Sequence, residues 1–303
     1  EWKFVGAIKI GDTIHCEVEV LEAKRSKSKP DRGILNIQYS IINQDGAVCQ
    51  VGSMATMLYW EEPKGGKCMN ILVCIKQVPD TTEIKIDPVT NTLIRAGVPS
   101  IVNPFDAYAL EIAARIKDVT PETKIILLSM GPKQAEAALK ECLAVGGDKA
   151  YLVSDRAFGG ADTLATSYTL KTAIDKIETL EGKFDIIFCG KQAIDGDTAQ
   201  VGPEIAEHMD CPQITYAIEA KVENDEVLVK RETGEGYEVL AAKMPCVITV
   251  TKPSFSPRYP TIKSKMAANR ATINTLTAAD IPVDAERIGL KGSPTKVKKS
   301  FTP

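Results

Sequence analysis

Apolar and polar positions follow two different rhythms along the chain, and the change falls near residue 68. Before it, FVGAIKIGDTIHCEVEVLEAKR alternates at period two around Gly11 and Asp12, GILNIQYSIINQDG repeats the alternation, and AVCQVGSMATMLYW follows. Such alternation predicts strands with one face buried. Residues 1–62 are therefore read as a small β-rich unit whose second hairpin closes at Gln44, Asp45 and Gly46. The polar, Pro/Gly-containing run EEPKGGK then marks a linker, residues 63–68, and a different pattern opens at Met69.

From Met69 on, apolar strands alternate with amphipathic helices. NILVCIKQV, KIILLSM, KAYLVS and FDIIFCG are predicted as buried strands, and residues 107–117, 133–145, 163–177 and 201–208 as helices. Repeated βα units imply a parallel, doubly wound sheet with crossovers of the usual hand. After His208 the signals become β again, from QITYAIEAKVE through MPCVITV, with turns at Glu223 to Asp225 and at Gly234 and Gly236. That stretch is predicted as an antiparallel β appendage closing one side. The fold class is thus α/β for residues 69–303, a doubly wound, mainly parallel sheet with the appendage, preceded by the small β-rich piece.

Composition narrows the function. Hydrophobic residues at 44% and charged residues at 25% are ordinary globular values, which excludes general disorder. The net charge of -3 arises from 37 basic and 40 acidic residues mixed along the chain, so no global field favours nucleic acid or an anionic membrane; only residues 291–299 are locally basic. The eight cysteines form no C-x-x-C pair and no cluster with histidine of metal-ligand spacing, so no metal site is expected. Reduced cysteines inside strands, with no signal-peptide pattern and no membrane-length apolar run, predict a cytoplasmic protein.

The strongest local chemistry lies in GKQAIDGDTAQVGPEIAEHM, residues 190–209. Gly190 ends a strand, Asp195, Gly196, Asp197 and Thr198 are turn residues, and a helix with Pro203 in its first turn follows. A strand, a small-residue turn and a helix N-terminus present free backbone N–H groups to an anion. Two aspartates there require ribose hydroxyls, helix capping or a cation as their partners. Ligands in open α/β sheets gather outside the carboxyl ends of the strands, where this motif and the other turn-rich segments fall.

Several separated blocks together resemble the electron-transfer flavoprotein β subunit: NILVCIKQVPD, VNPFDAYALE, LLSMGPKQAEAAL, the 190–209 segment, and VKRETGEGYEVL followed by MPCVITV. The resemblance covers residues 69–303. It implies a soluble redox subunit with no catalytic side chain of its own, which works with a partner α subunit. It also implies nucleotide contacts from Cys74, mainly through backbone, from Asn103, Pro104, Phe105 and Asp106, and from Met130 and Gly131. Lys191, Gln192, Ala193 and Ile194 join Gly190 and the 195–198 turn in that set, with Ala199, Gln200 and Val201.

The segment SDRAFGGADTLATSYTL, with KQVPDTTEIKIDP and LIRAGVPSIVNP, resembles the electron-bifurcating members of the family, which implies FAD, with AMP as the alternative. Gly159 and Gly160 permit close backbone approach, while Ala161, Asp162, Thr163 and Thr166 surround a helix start. Ser129, Gly131 and Pro132 form a strand-to-helix turn where NADH would approach as electron donor. Ser254, Phe255, Ser256, Pro257, Arg258 and Tyr259 fall in the family's recognition loop for an acyl-CoA dehydrogenase-like flavoprotein, and the resemblance to bifurcating members implies a low-potential acceptor such as ferredoxin for the other electron.

The first piece, from IKIGDT to DGAVC, resembles the C-terminal half of MaoC-like hydratases of hot-dog fold, without the half that carries their catalytic aspartate and histidine. His15 is accordingly read as a strand-face residue. The start at Glu1 without a methionine suggests a fragment, and Met69 is an equally natural start. The family continues past GSPTKVKKSF with a tail that wraps the α subunit, whereas this chain stops at Pro303.

Overall fold

A computed structural model describes residues 2–26, 32–59, 69–80 and 99–295. The linker at 63–68, the greater part of KQVPDTTEIKIDP and the start of LIRAGVPSIVNP, and the basic terminus beyond residue 295 lie outside these residues. The chain divides into two compact units, residues 1–65 and 66–303.

The smaller unit is a four-stranded antiparallel sheet of β1 (Trp2–Phe4), β2 (Ile14–Arg25), β3 (Arg32–Asn43) and β4 (Val48–Tyr59), in the order β1-β4-β3-β2. The predicted turn at 44–46 joins β3 to β4, where the Gly46 N–H donates to Asn43 O. No helix covers this sheet among its described residues, and β2 is exposed along its whole length. His15 sits on that strand, 3.6 Å from Glu17 and largely exposed.

The larger unit is built on one nine-stranded sheet. Its members are β5 (Asn70–Cys74), β8 (Lys124–Met130), β9 (Lys149–Val153), β10 (Ile186–Gly190), β11 (Gln213–Glu223), β12 (Glu226–Thr233), β13 (Gly236–Lys243), β14 (Cys246–Val250) and β15 (Asn274–Leu276). They lie in the order β13-β12-β11-β14-β10-β5-β8-β9-β15. A separate two-stranded ribbon pairs β6 (Gln77–Pro79) with β7 (Ser100–Val102). Among the described residues the α-helices are α1 (Pro104–Val119), α2 (Glu136–Val145), α3 (Thr163–Glu181), α4 (Val201–Met209) and α5 (Ile262–Arg270).

Alternation along the strands divides the core between the two faces. Ile71, Val73, Ile125, Leu127, Ile186 and Phe188 pack under α1 and α2, while Leu72, Ile126, Leu128, Ile187 and Cys189 pack under α3 and α4. Burial on both faces is why these strands read as continuous apolar runs. The expected antiparallel appendage exists as β11, β12 and β13, but it continues the main sheet. MPCVITV does not belong to the appendage: β14 returns between β10 and β11 and runs parallel to both. Its all-buried pattern requires cover on both faces, which an edge hairpin cannot give.

Three further boundaries differ from the pattern reading. NILVCIKQV is two strands, because the chain leaves the sheet after Cys74 and re-pairs as β6. Lys133–Ala135 is a turn of 3-10 helix ahead of α2. β15, too short to show a period, pairs with β9 at the far edge.

The winding fixes where a ligand crevice falls. From β5 the sheet grows outward through β8 and β9; the chain then crosses to β10 on the other side of β5. The order reverses between β5 and β10, and a doubly wound sheet opens its crevice outside the carboxyl ends of such a pair.

Candidate functional site

Residues that follow β5 and β10 meet at that reversal through one buried carboxylate. Asp106, in the first turn of α1, is 6% exposed. It accepts the backbone N–H of Lys76 at 2.7 Å, the backbone N–H of Gly190 at 3.0 Å and the Asn103 side-chain amide at 2.9 Å. One side chain thus ties the ends of β5 and β10 to the start of α1. A Cβ at Gly190 would overlap this carboxylate and the Phe105 side chain, so glycine is required there by close packing.

Asn103 extends the network upward. It donates to Gln192 O at 2.9 Å and accepts from the Ile194 N–H at 3.2 Å, which fixes the base of the 190–201 loop. Above that base the loop is exposed. Asp195 pairs with Lys76 at 2.6 Å, Gln192 donates to Asp197 at 2.6 Å, and Asp197 and Ala199 hold left-handed backbone at φ 50 and 54. Gly196 has open space: a Cβ there would meet nothing within 4 Å. Thr198 and Gln200 are likewise exposed, and Ala193 and Val201 half-buried.

The starts of α1 and α4 at this rim carry no side-chain cap. α1 begins after Asn103, whose side chain is committed to the loop, and α4 begins after Gln200. Pro104 and Pro203 carry no N–H, and the Asp106, Ala107 and Glu204 N–H groups already donate to Asn103 O and Gln200 O, so the amides these starts can offer an anion are that of Phe105 on α1 and those of Val201 and Gly202 on α4. α3 differs, because Asp162 caps it through the Ala165 N–H at 3.0 Å. The second Asp162 oxygen accepts the Thr295 N–H at 2.9 Å, and the Asp162 N–H donates to Ser293 Oγ at 2.8 Å. Asp162 is therefore occupied within the chain. Gly160 does adopt positive φ, at +75°, but the space facing it is filled by Leu290 rather than left for a ligand. Thr163 reaches α4, donating to Glu204 at 3.1 Å, which joins the 161–166 segment to the rim; Ala161 and Thr166 are half-buried beside it.

Cys74 and Met130 line the α3 side of the strand ends as half-buried residues, and Pro104 and Phe105 are half-buried at the α1 side. Lys191 stands over the Phe105 ring at 5.1 Å and the Tyr216 ring at 5.8 Å. Of the three residues assigned to nicotinamide approach, Gly131 and Pro132 reach the surface. Ser129 does not: it is 1% exposed, on the opposite side of its strand from Met130, with its hydroxyl unpartnered. Lys76 and Ser293 were missed by the sequence reading. Lys76 follows a strand end, which was a usable signal; Ser293 gave none.

The 254–259 loop divides by role. Phe255 lies under the Arg115 guanidinium at 3.7 Å, and Arg258 is bound to buried Glu111 at 2.9 Å and to Asp118 at 2.7 Å. These two fasten the loop to α1, beside half-buried Pro257. Ser254, Ser256 and above all Tyr259, 90% exposed, remain on the surface. Ile262 and Met266 on α5, 83% and 51% exposed, extend that surface beyond the residues read from the sequence. Among the described residues no group of three or more His, Cys, Asp and Glu side chains is placed to hold a metal, and no helix is long and apolar enough to cross a membrane.

The electrostatics of Asp106 give a test. Burial pushes its carboxyl up to about 7, against the three donors that pull it down. With the folded value raised, the native state holds the proton more tightly than the unfolded chain, so this group's contribution to stability declines from about pH 4 to about pH 7. Asp106→Asn removes that titration. The stability difference between variant and wild type, from urea unfolding at stepped pH, is expected to move in the variant's favour across this window and to level off above it. A difference independent of pH would refute the assignment.

Residues 90–281 match the family described as Electron transfer flavoprotein domain. The electron transfer flavoprotein subunit beta of Megasphaera elsdenii is 59% identical over 237 residues, 78% of this chain and 88% of that protein. The caffeyl-CoA reductase-Etf complex subunit CarD of Acetobacterium woodii is 51% identical over 235 residues, again 78% and 88%. A solved MaoC-like dehydratase from Rhodospirillum rubrum is 36% identical over 21% of this chain and 42% of that one, with a TM-score of 0.19, which carries no argument about fold or activity. A doubly wound sheet with its rim at the β5/β10 reversal, together with these relatives, shows that the chain belongs to the electron transfer flavoprotein β-subunit family, whose members carry electrons paired with an α subunit.

Proposed function

We propose that residues 69–303 hold FAD across the β5/β10 rim and, with an α subunit, split the electrons of NADH between a low-potential acceptor such as ferredoxin and an acyl-CoA dehydrogenase-like flavoprotein. One observation carries the nucleotide assignment. A firm base of Asn103 and Asp106 supports a loop with open space over Gly196, between two helix starts whose amides no side chain caps. Those residues fit a phosphate-bearing adenosine: the Phe105, Val201 and Gly202 amides would hold anionic oxygens, and Asp195, Asp197 and Gln200 would offer acceptors for ribose hydroxyls.

Bound FAD would supply the hydride acceptor and one-electron donor chemistry, and the chain supplies position and electrostatics. The link from Thr163 to Glu204 supports the longer cofactor, since it makes the 161–166 segment continuous with the loop. The second reading, structural AMP in a non-bifurcating carrier, is favoured by the internal use of Asp162 and the filling of the space at Gly160 by Leu290. Tyr259, Ile262 and Met266 form the surface proposed for the dehydrogenase, because Phe255 and Arg258 are held against α1. A cytoplasmic setting belongs to the same proposal.

Expression with the α subunit and FAD, followed by cofactor extraction and a visible spectrum, separates the two readings. Flavin in excess of what the α subunit holds supports FAD here; a β subunit releasing only AMP refutes it. Gly196→Val sharpens the location, because a Cβ there meets nothing within 4 Å among the described residues. The variant is expected to fold as the wild type by circular dichroism and to lose at least tenfold in nucleotide affinity. Unchanged nucleotide content would move the site elsewhere.

Pro132→Trp is expected to slow flavin reduction by NADH at least tenfold in stopped-flow absorbance while FAD content is unchanged, since Pro132 is exposed at the proposed nicotinamide approach. Reduction at the wild-type rate would show that the hydride arrives by another route. For the partner surface, Tyr259→Ala combined with Ile262→Ala is expected to raise the KM for the dehydrogenase about tenfold, with NADH reduction of the flavin unaffected. An unaltered KM would exclude this face.

A further inference from the structure

Two thiols meet directly beneath the rim. β5 and β10 pair in parallel with Phe188 beside Val73, and the next step along both strands brings Cys189 alongside Cys74. Both side chains lie on the α3/α4 face of the sheet. They are neighbours across the paired strands, and the adjacent Cys74 thiol together with burial pushes the Cys189 thiol well up. Neighbouring strands run about 4.8 Å apart, inside the roughly 4.4–6.8 Å Cα separation over which a disulfide closes. Cys189 is 5% exposed, whereas Cys74, at the carboxyl end of β5, is half-buried.

We propose that Cys74 and Cys189 form an oxidisable dithiol, which a hydroperoxide entering the crevice converts to a disulfide joining β5 to β10. The Cys74 sulfur attacks the distal peroxide oxygen; the O–O bond breaks, the alcohol or water leaves with the thiol proton, and Cys74 becomes a sulfenic acid. The Cys189 sulfur then attacks the Cys74 sulfur, the S–O bond breaks, and the hydroxide leaves as water with the Cys189 proton. The two sulfurs lose two electrons in total and the peroxide gains two. Cys74 reacts first because it is the less buried of the two, and Cys189 resolves because it is the adjacent thiol on the same face.

The bridge would link segments that Asp106 already holds together, through Lys76 two residues beyond Cys74 and Gly190 next to Cys189. Closure therefore needs little movement of the sheet. Cys211 and Cys246 supply an internal contrast. They too are near neighbours, but Cys246 packs on the α1/α2 face and Cys211 on the other, so the sheet lies between them.

The test is titration of the purified full chain with hydrogen peroxide, then alkylation and peptide mapping by mass spectrometry. The expected product is one cross-linked peptide pair containing Cys74 and Cys189, lighter by two hydrogens, with two alkylation sites lost and both regained on reduction with dithiothreitol. Cys74→Ser, with a native circular dichroism spectrum, is expected to abolish that product and leave Cys189 alkylatable only after unfolding. The proposal is overturned if Cys74 proceeds to sulfinic acid while Cys189 stays free. It is equally overturned if a Cys211–Cys246 pair forms and this one does not.

Discussion

The buried carboxylate of Asp106 is the constraint on which the rim depends. A parallel sheet satisfies its own backbone within the strands and leaves the amides just beyond their carboxyl ends to be partnered by something else. Here two of those amides, from Lys76 and Gly190, converge on one side chain at the start of α1. A carboxylate suits the position because its two oxygens accept several donors at once, and burial makes each of those bonds costly to lose.

Around that clamp the rim is firm below and loose above. Asn103 and Asp106 are buried, and the fixed end of the 190–201 loop hangs from Asn103 through Gln192 and Ile194. Higher up, the Lys76–Asp195 ion pair is half exposed, and such pairs contribute roughly 0–1 kcal/mol. The base is thus held by buried bonds and the crown by a weak one. The same division governs the 254–259 loop, where the Arg258–Glu111–Asp118 cluster fixes the stem and leaves Tyr259 exposed.

Where the chain departs from its pattern, the departure is local and has a cause. β14 reads like one more strand of an antiparallel series, yet it crosses back into the parallel body because all five of its residues are buried. Asp162 has the sequence setting of a ligand group and is drawn into a cap and into the 293–295 segment instead. Ser129 follows the apolar run KIILL and stays on its buried face, so the surface turn begins only at Gly131.

The sequence by itself determined the βα succession, the two-faced core and the segments that end on one rim, because periodicity and turn chemistry are local properties written within a few residues of each other. It also determined the family, through blocks of text scattered from residue 70 to residue 250. Tertiary structure alone decided which residues of those blocks face outward. Asp106 and Asp195 look alike in sequence; one is sealed against Lys76 and Gly190 amides from segments 30 and 84 residues away, and the other lies in solvent beside the Lys76 ammonium. Likewise Cys74 and Cys189, 115 apart in number, become neighbours only because the strand order reverses between β5 and β10. Contacts between distant segments depend on strand order and register, which are set by the packing of the whole sheet and not by any stretch of it.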